Sequence, residues 1–188
     1  MELLSPIVRL MHYYKSLGEQ AMAQVPDEAL LNYHPNENSN SIALIVKHLH
    51  GNMLSRWTDF LTSDGEKEWR NRDSEFEGEV STRKDVMELW NAGWACALGA
   101  MEQLTEADLT RTVYIRNQAH TVYDALLRQL GHYPYHVGQI VYIAKMVSTD
   151  GAWQSLSIPK NKSAAYNATK FDEPKNDGHF TDEFVKKV

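Results

Sequence analysis

Two histidines four residues apart, His132 and His136, stand in the string GHYPYHVGQI. On a helix that spacing sets them about 40° apart around the axis and about 6 Å along it, so both imidazoles can reach one ion. Imidazole nitrogen is the commonest protein donor for zinc, nickel, iron and copper, and two such donors on one face supply half of a tetrahedral site. The backbone around the pair adds weight. Pro134 inside a helix forfeits the bond to the Leu130 carbonyl at about 3 kcal/mol, and Gly131 and Gly138 add about 1 kcal/mol each. Apolar residues nevertheless continue at helical spacing on both sides, from Leu126 and Leu130 to Ile140 and Ile143. Something tertiary must hold the segment, and a metal can do so. The rival is a helix that ends near His132 and restarts after Pro134, its glycines permitting close helix contact.

A third ligand must come from another helix, and KHLHGN offers His48 and His50. Two residues apart, they point about 200° away from each other, so only one can serve the same ion. Against the stripe of Ile45, Leu49, Met53 and Trp57, His50 lies nearer the core side, and periodicity by itself favours His50. His12, His34, His120 and His179 read as exposed or locally satisfied. Gln139, three residues after His136, shares its side and can orient a ligand or a water. Tyr133, Tyr135 and Tyr142 read as packing. There is no HExxH, no paired Glu-x-x-His and no nucleophile elbow, which disfavours zincin, di-iron and serine-hydrolase chemistry. The only cysteine, Cys96, lies among Trp94, Ala95, Ala97 and Leu98 and reads as a packed thiol.

The elements that must carry these side chains are helical. Ile7, Leu10, Met11, Tyr14, Leu17 and Met22 predict a first helix from about Leu3 to Val25, stopped by Pro26. Ser41 caps a second, with Ile42 to Leu61 on its stripe. Residues 63–80 are mostly charged or small, with only Trp69, Phe76 and Val80 to anchor them, and predict a long ordered crossover loop. Ser81 or Thr82 caps a third helix that stops before Thr105, and Leu109 to Ala119 predicts a short strap or hairpin. Thr121 then caps the last helix, Val122 to about Val147. Antiparallel packing of four such helices around one seam gives an all-α four-helix bundle over residues 1–150. Residues 151–188 have too few apolar side chains for another core layer and predict an irregular tail that lies on the bundle and frays at its end.

At 188 residues, one domain is expected. Twenty-five acidic against nineteen basic side chains leave a charge of −6, the wrong sign for binding nucleic acid through phosphate neutralisation. The apolar stretches are too short and interrupted to span a bilayer. The N-terminal MELLSPIVRLMHYY has neither a basic n-region nor a small-residue cleavage site, which predicts a cytoplasmic protein.

KHLHGN, the tryptophan nine residues after its first histidine (Trp57), HxxxHxGQI on the last helix and SLSIPK (Ser155 to Lys160) resemble, in order and spacing, the DinB-like superfamily of bacterial four-helix bundles. More narrowly they resemble an uncharacterised branch of it, over nearly the whole chain. The resemblance implies a DinB-like bundle with a long loop between helices two and three, a homodimer, and a divalent metal, zinc or nickel, held by His48, His132 and His136. It selects the first histidine of helix two where the angular count selects the second. Three neutral histidines with one open position suit catalysis, and related bundles imply thiol S-transfer or hydrolysis of a small electrophile. The alternative is a non-catalytic, metal-stabilised binding or dimerisation module.

Overall fold

Each long helix begins where a side chain can take up its unpaired first amides. In the computed structural model, which describes residues 2–185, α1 (Leu4–Ala23) has no cap of its own. Glu106 Oε1 instead accepts the amides of Leu3 and Leu4 at 3.0 and 2.9 Å. Ser41 caps α2 (Ile42–Trp57) through the Leu44 amide, and Thr82 and Asp85 form a reciprocal capping box at α3 (Arg83–Glu102). Thr121 caps α4 (Val122–Val147) through the Asp124 amide. Ser41 and Thr121 are the caps the sequence predicts, and Thr82 is one of the two it offers for the third helix, whereas the Glu106 contact at α1 is not among them.

The four helices form the expected bundle. α1 packs chiefly on α4 and α2 chiefly on α3, and further α2–α4 and α1–α3 contacts close the ring. Met11, Leu49, Trp90, Trp94, Leu126 and Tyr133 are among the side chains sealed inside it. Between α3 and α4 a hairpin pairs β1 (Thr112–Ile115) with β2 (Gln118–Thr121), Ile115 opposite Gln118. Its turn residues Arg116 and Asn117 both have positive φ, 54° and 60°, as a tight two-residue hairpin turn requires. Asp64 holds that turn by accepting both amides at 2.8 Å.

The crossover between α2 and α3 is therefore fastened. Gly65 donates its amide to the Tyr114 carbonyl, and the buried Ser55 on α2 accepts from the Lys67 amide while donating to the Gly65 carbonyl. A short 3-10 turn, Asp73–Phe76, then packs back on α2. After α4 the chain is irregular apart from α5 (Ser163–Asp172), none of whose residues is buried, and a 3-10 turn, Phe180–Glu183. The tail is tied to α1 through Gln24 with Gln154 and Gln20 with the Phe184 carbonyl. The expected fraying at the very end falls on residues 186–188, outside the described residues. No helix among the described residues is long and apolar enough to cross a membrane.

Candidate metal centre

α4 runs unbroken through Pro134, so His132 and His136 sit one turn apart on one rigid rod. Its rotation is set by the residue between them and the core. Tyr133 is fully buried, accepts a 2.8 Å hydrogen bond from Trp57 Nε1 on α2, and lies edge-on to Trp94 at 5.6 Å. With Tyr133 pinned inward, its neighbour His132 turns toward α2. There it meets His48, and the ligand atoms of His48, His132 and His136 all lie within 4.8 Å of one another.

The two outer imidazoles have their tautomers fixed from behind. His48 Nδ1 donates to Glu75 Oε2 at 2.8 Å, and His136 Nδ1 donates to Gln139 Oε1 at 2.8 Å. In the neutral tautomer with Nδ1 carrying the proton, a ring so held turns its Nε2 lone pair toward the third histidine. Both lone pairs converge on His132 Nε2, at 3.4 Å from His48 and 3.1 Å from His136. His132 has one proton at most to give there, so hydrogen bonding leaves one lone pair facing another nitrogen. A cation resolves that conflict. Nitrogen donors at about 2.0–2.1 Å around tetrahedral zinc stand about 3.3–3.4 Å apart, close to the separations found. Burial, with the neighbouring imidazoles, pushes the pKa of His132 down to about 3. Burial likewise takes His136 down to about 4, against the opposing effect of its hydrogen bond to Gln139. Both rings are thus neutral, as ligands must be, at physiological pH.

The cluster opens into a cavity of about 530 Å³ between α2, α4 and the crossover, lined by polar side chains that include Asn52, Arg56, Arg128, Gln129 and Gln139. His50 is not part of the cluster. Its backbone abuts α3, where a Cβ at Gly93 would lie 3.1 Å from His50 Cα. His12, His34, His120 and His179 close on Glu102, the Ser39 carbonyl, Asp124 and Thr181 respectively.

Over residues 1–162 the sequence matches the model of a protein family described as "Protein of unknown function (DUF1572)". The chain belongs to the DUF1572 family. Its structure is similar to that of a DinB-like protein, YjoA, from Bacillus subtilis, with a TM-score of 0.56 and 22% sequence identity over 77% of this chain and 94% of that one. That likeness shows the DinB-like fold that the histidine motifs imply. Comparison with curated proteins finds no match.

In this DUF1572 protein the site residues that sequence reasoning missed, Glu75 and Arg70, lie in the crossover, beside the expected anchor Phe76. Glu75 is buried and takes the Arg70 guanidinium on both oxygens, at 2.8 and 3.0 Å, while holding His48. Phe76 stacks on the His48 ring, 4.8 Å between centroids. Glu75 comes this close because residue 51 is glycine: a Cβ there would overlap Glu75 Oε1. Gly51→Ala, a change that ordinarily favours a helix by about 1 kcal/mol, is therefore expected to displace Glu75 and weaken zinc binding about tenfold. Zinc titration of the variant beside wild type checks this, and equal affinities would contradict it.

Proposed function

We propose that the protein is a metal-dependent enzyme in which His48, His132 and His136 hold zinc or nickel, acting on a small electrophile by thiol transfer or hydrolysis. The observation that carries this reading is the convergence of the Nε2 atoms of His48 and His136 on a third imidazole at the wall of an open cavity. A divalent ion there would supply Lewis acidity and lower the pKa of a thiol or water at its open position. Glu75 and Gln139 would hold the ligand rings in the tautomer that binding requires. Asn52 Oδ1 and Gln129 Oε1 are buried acceptors without a protein partner at the same cavity, suited to the N–H or O–H groups of a bound molecule. A homodimer in the cytoplasm belongs to the same reading; the exposed Tyr135, Tyr142 and Met146 of α4 are the surface that would support the dimer.

The non-catalytic module needs a site closed by protein. Among the described residues no fourth histidine, cysteine or carboxylate joins the three-histidine group, which favours the enzyme. The test is elemental analysis of the purified protein joined to an assay of a small thiol with an alkylating electrophile. About one divalent ion per chain and turnover are expected. Chelation should abolish turnover and added zinc restore it, while His132→Ala should lose the ion and at least a hundredfold in rate. Bound metal without any turnover of thiol or ester substrates would favour the module instead.

A further inference from the structure

The chain as a whole is acidic, yet five arginines line the cavity beside the histidines: Arg56, Arg70, Arg72, Arg116 and Arg128. No carboxylate lines it among the described residues. Two carboxylates stand behind the wall, and they are already shared. Glu75 is taken by Arg70 and His48. Glu66 is divided among Arg70 at 3.2 Å, Arg116 at 3.4 Å and Arg56 at 3.9 Å. Arg72 leans over the Phe76 ring, 5.1 Å from its centroid. Five guanidinium charges against two carboxylates leave a surplus of positive charge that the protein itself does not neutralise.

Arg56 is the focus of that surplus. Its side chain is only 4% exposed, its one ion pair is long, and its Nε and Nη1 have no hydrogen-bond partner. Gly65 packs so close that a Cβ there would lie 2.8 Å from Nη1, so the crossover fixes the guanidinium in place. Burial, together with the like charges of Arg128 and Arg70, pushes the pKa of Arg56 down. A buried, under-paired cation of this kind is costly in an otherwise structural role. An oxyanion removes the cost, because the planar donor fork of arginine matches carboxylate and phosphate oxygens.

We infer that the cavity recognises its small-molecule ligand through a carboxylate or phosphate group, held by Arg56 and Arg128 beside the three histidines. The inference deepens the enzymatic reading and rests on it for calling that ligand a substrate; the anion site itself is built from the arginines. A volume of about 530 Å³ suits a small metabolite and not a polymer. A divalent ion at the histidines would raise the positive potential further and strengthen the same preference.

The test is calorimetric titration of the full chain, zinc-loaded and metal-free, with inorganic phosphate, with succinate and with uncharged succinamide. Saturable binding of phosphate or succinate and none of succinamide is expected, and whichever anion binds tells phosphate from carboxylate recognition. Arg56→Gln and Arg128→Gln should each weaken that binding about tenfold or more with zinc content unchanged. Arg128 is exposed, so its variant keeps the test open if Arg56→Gln fails to fold. Anion binding should persist, weakened, in the metal-free chain, so it stands or falls apart from turnover and metal content. The inference is overturned if neither anion binds better than succinamide, if Arg128→Gln binds as wild type, or if binding vanishes with zinc removal.

Discussion

Glu75→Ala is expected to destabilise the metal-free chain by about 3–5 kcal/mol and, independently, to weaken zinc binding about 10- to 100-fold. The two effects have separate origins. The side chains of Glu75 and Arg70 are 7% and 3% exposed, and they are joined by two hydrogen bonds. Burial pushes the Glu75 carboxyl up, but the bonds from His48 and Arg70 outweigh it and hold its pKa below the ordinary value. Deleting the carboxylate leaves Arg70 buried with only its 3.2–3.3 Å contacts to Glu66, a carboxylate that Arg56 and Arg116 also use. An uncompensated buried charge is the expensive case of a broken ion pair. The loss of zinc affinity comes from His48, whose Nδ1 proton then has no acceptor to fix it and leave Nε2 bare. Glu75→Gln separates the two: its amide oxygen can still accept from His48, while the lost charge still strands Arg70. It should therefore approach alanine in stability and wild type in zinc affinity. Urea denaturation of metal-free protein and a zinc competition titration measure each separately. Glu75→Ala with wild-type values in both would show that Glu75 neither anchors the crossover nor orients His48.

The reason Glu75 escapes sequence reading is instructive beside what did not. His132 and His136 are legible because one helix carries both, and helical spacing alone sets their mutual geometry. The caps Ser41, Thr82 and Thr121 are legible for the same reason: each acts within four residues of itself. His48 is legible only in part. The angular count treats the apolar stripe of α2 as its one buried face and so prefers His50. The crossover covers a second face, where Glu75 and Phe76 enclose His48 and leave it buried. That covering depends on contacts distant in sequence, such as Ser55 with Gly65 and Asp64 with the hairpin turn, which no local pattern announces. The composition of the loop marks it as an ordered connection, but nothing in it announces that its acid Glu75 and its arginine Arg70 pair inside the fold. One signal does exist in hindsight of the fold. His48, Asn52 and Arg56 recur at four-residue spacing, a polar row along α2 that ends up lining the cavity. A polar row on an otherwise apolar helix marks either solvent or a site, and only the partner surface distinguishes them.

Acid should destabilise the metal-free protein well before its carboxylates titrate, and the two α4 histidines should be responsible. In the unfolded chain each takes up a proton near pH 6.5, whereas in the fold His132 and His136 do so only at about 3 and about 4. Their folded values are depressed, so the unfolded chain binds more protons throughout that window. Their contribution to stability is fully present above about pH 6.5 and is lost as the pH falls toward those folded values. Each proton contributes a limiting slope of about 1.4 kcal/mol per pH unit, so roughly 2–4 kcal/mol should go between pH 7 and pH 5. His136→Gln removes one of the two titrations and should shallow that slope by about half. Zinc should behave differently from the fold that holds it. In the folded chain protons compete for His132 and His136 only below about pH 4, so these two ligands stay available at pH 5, where ordinary imidazoles would be protonated. Saturating zinc should then add its stabilisation at pH 5 as at pH 7, about 2.7 kcal/mol at a hundredfold excess over Kd. Denaturant midpoints at pH 7, 6 and 5, with and without zinc, measure both halves. A metal-free midpoint that does not move across that range, or a His136→Gln slope equal to that of wild type, would mean that the imidazoles of α4 are solvated in the fold and not held proton-free for a cation.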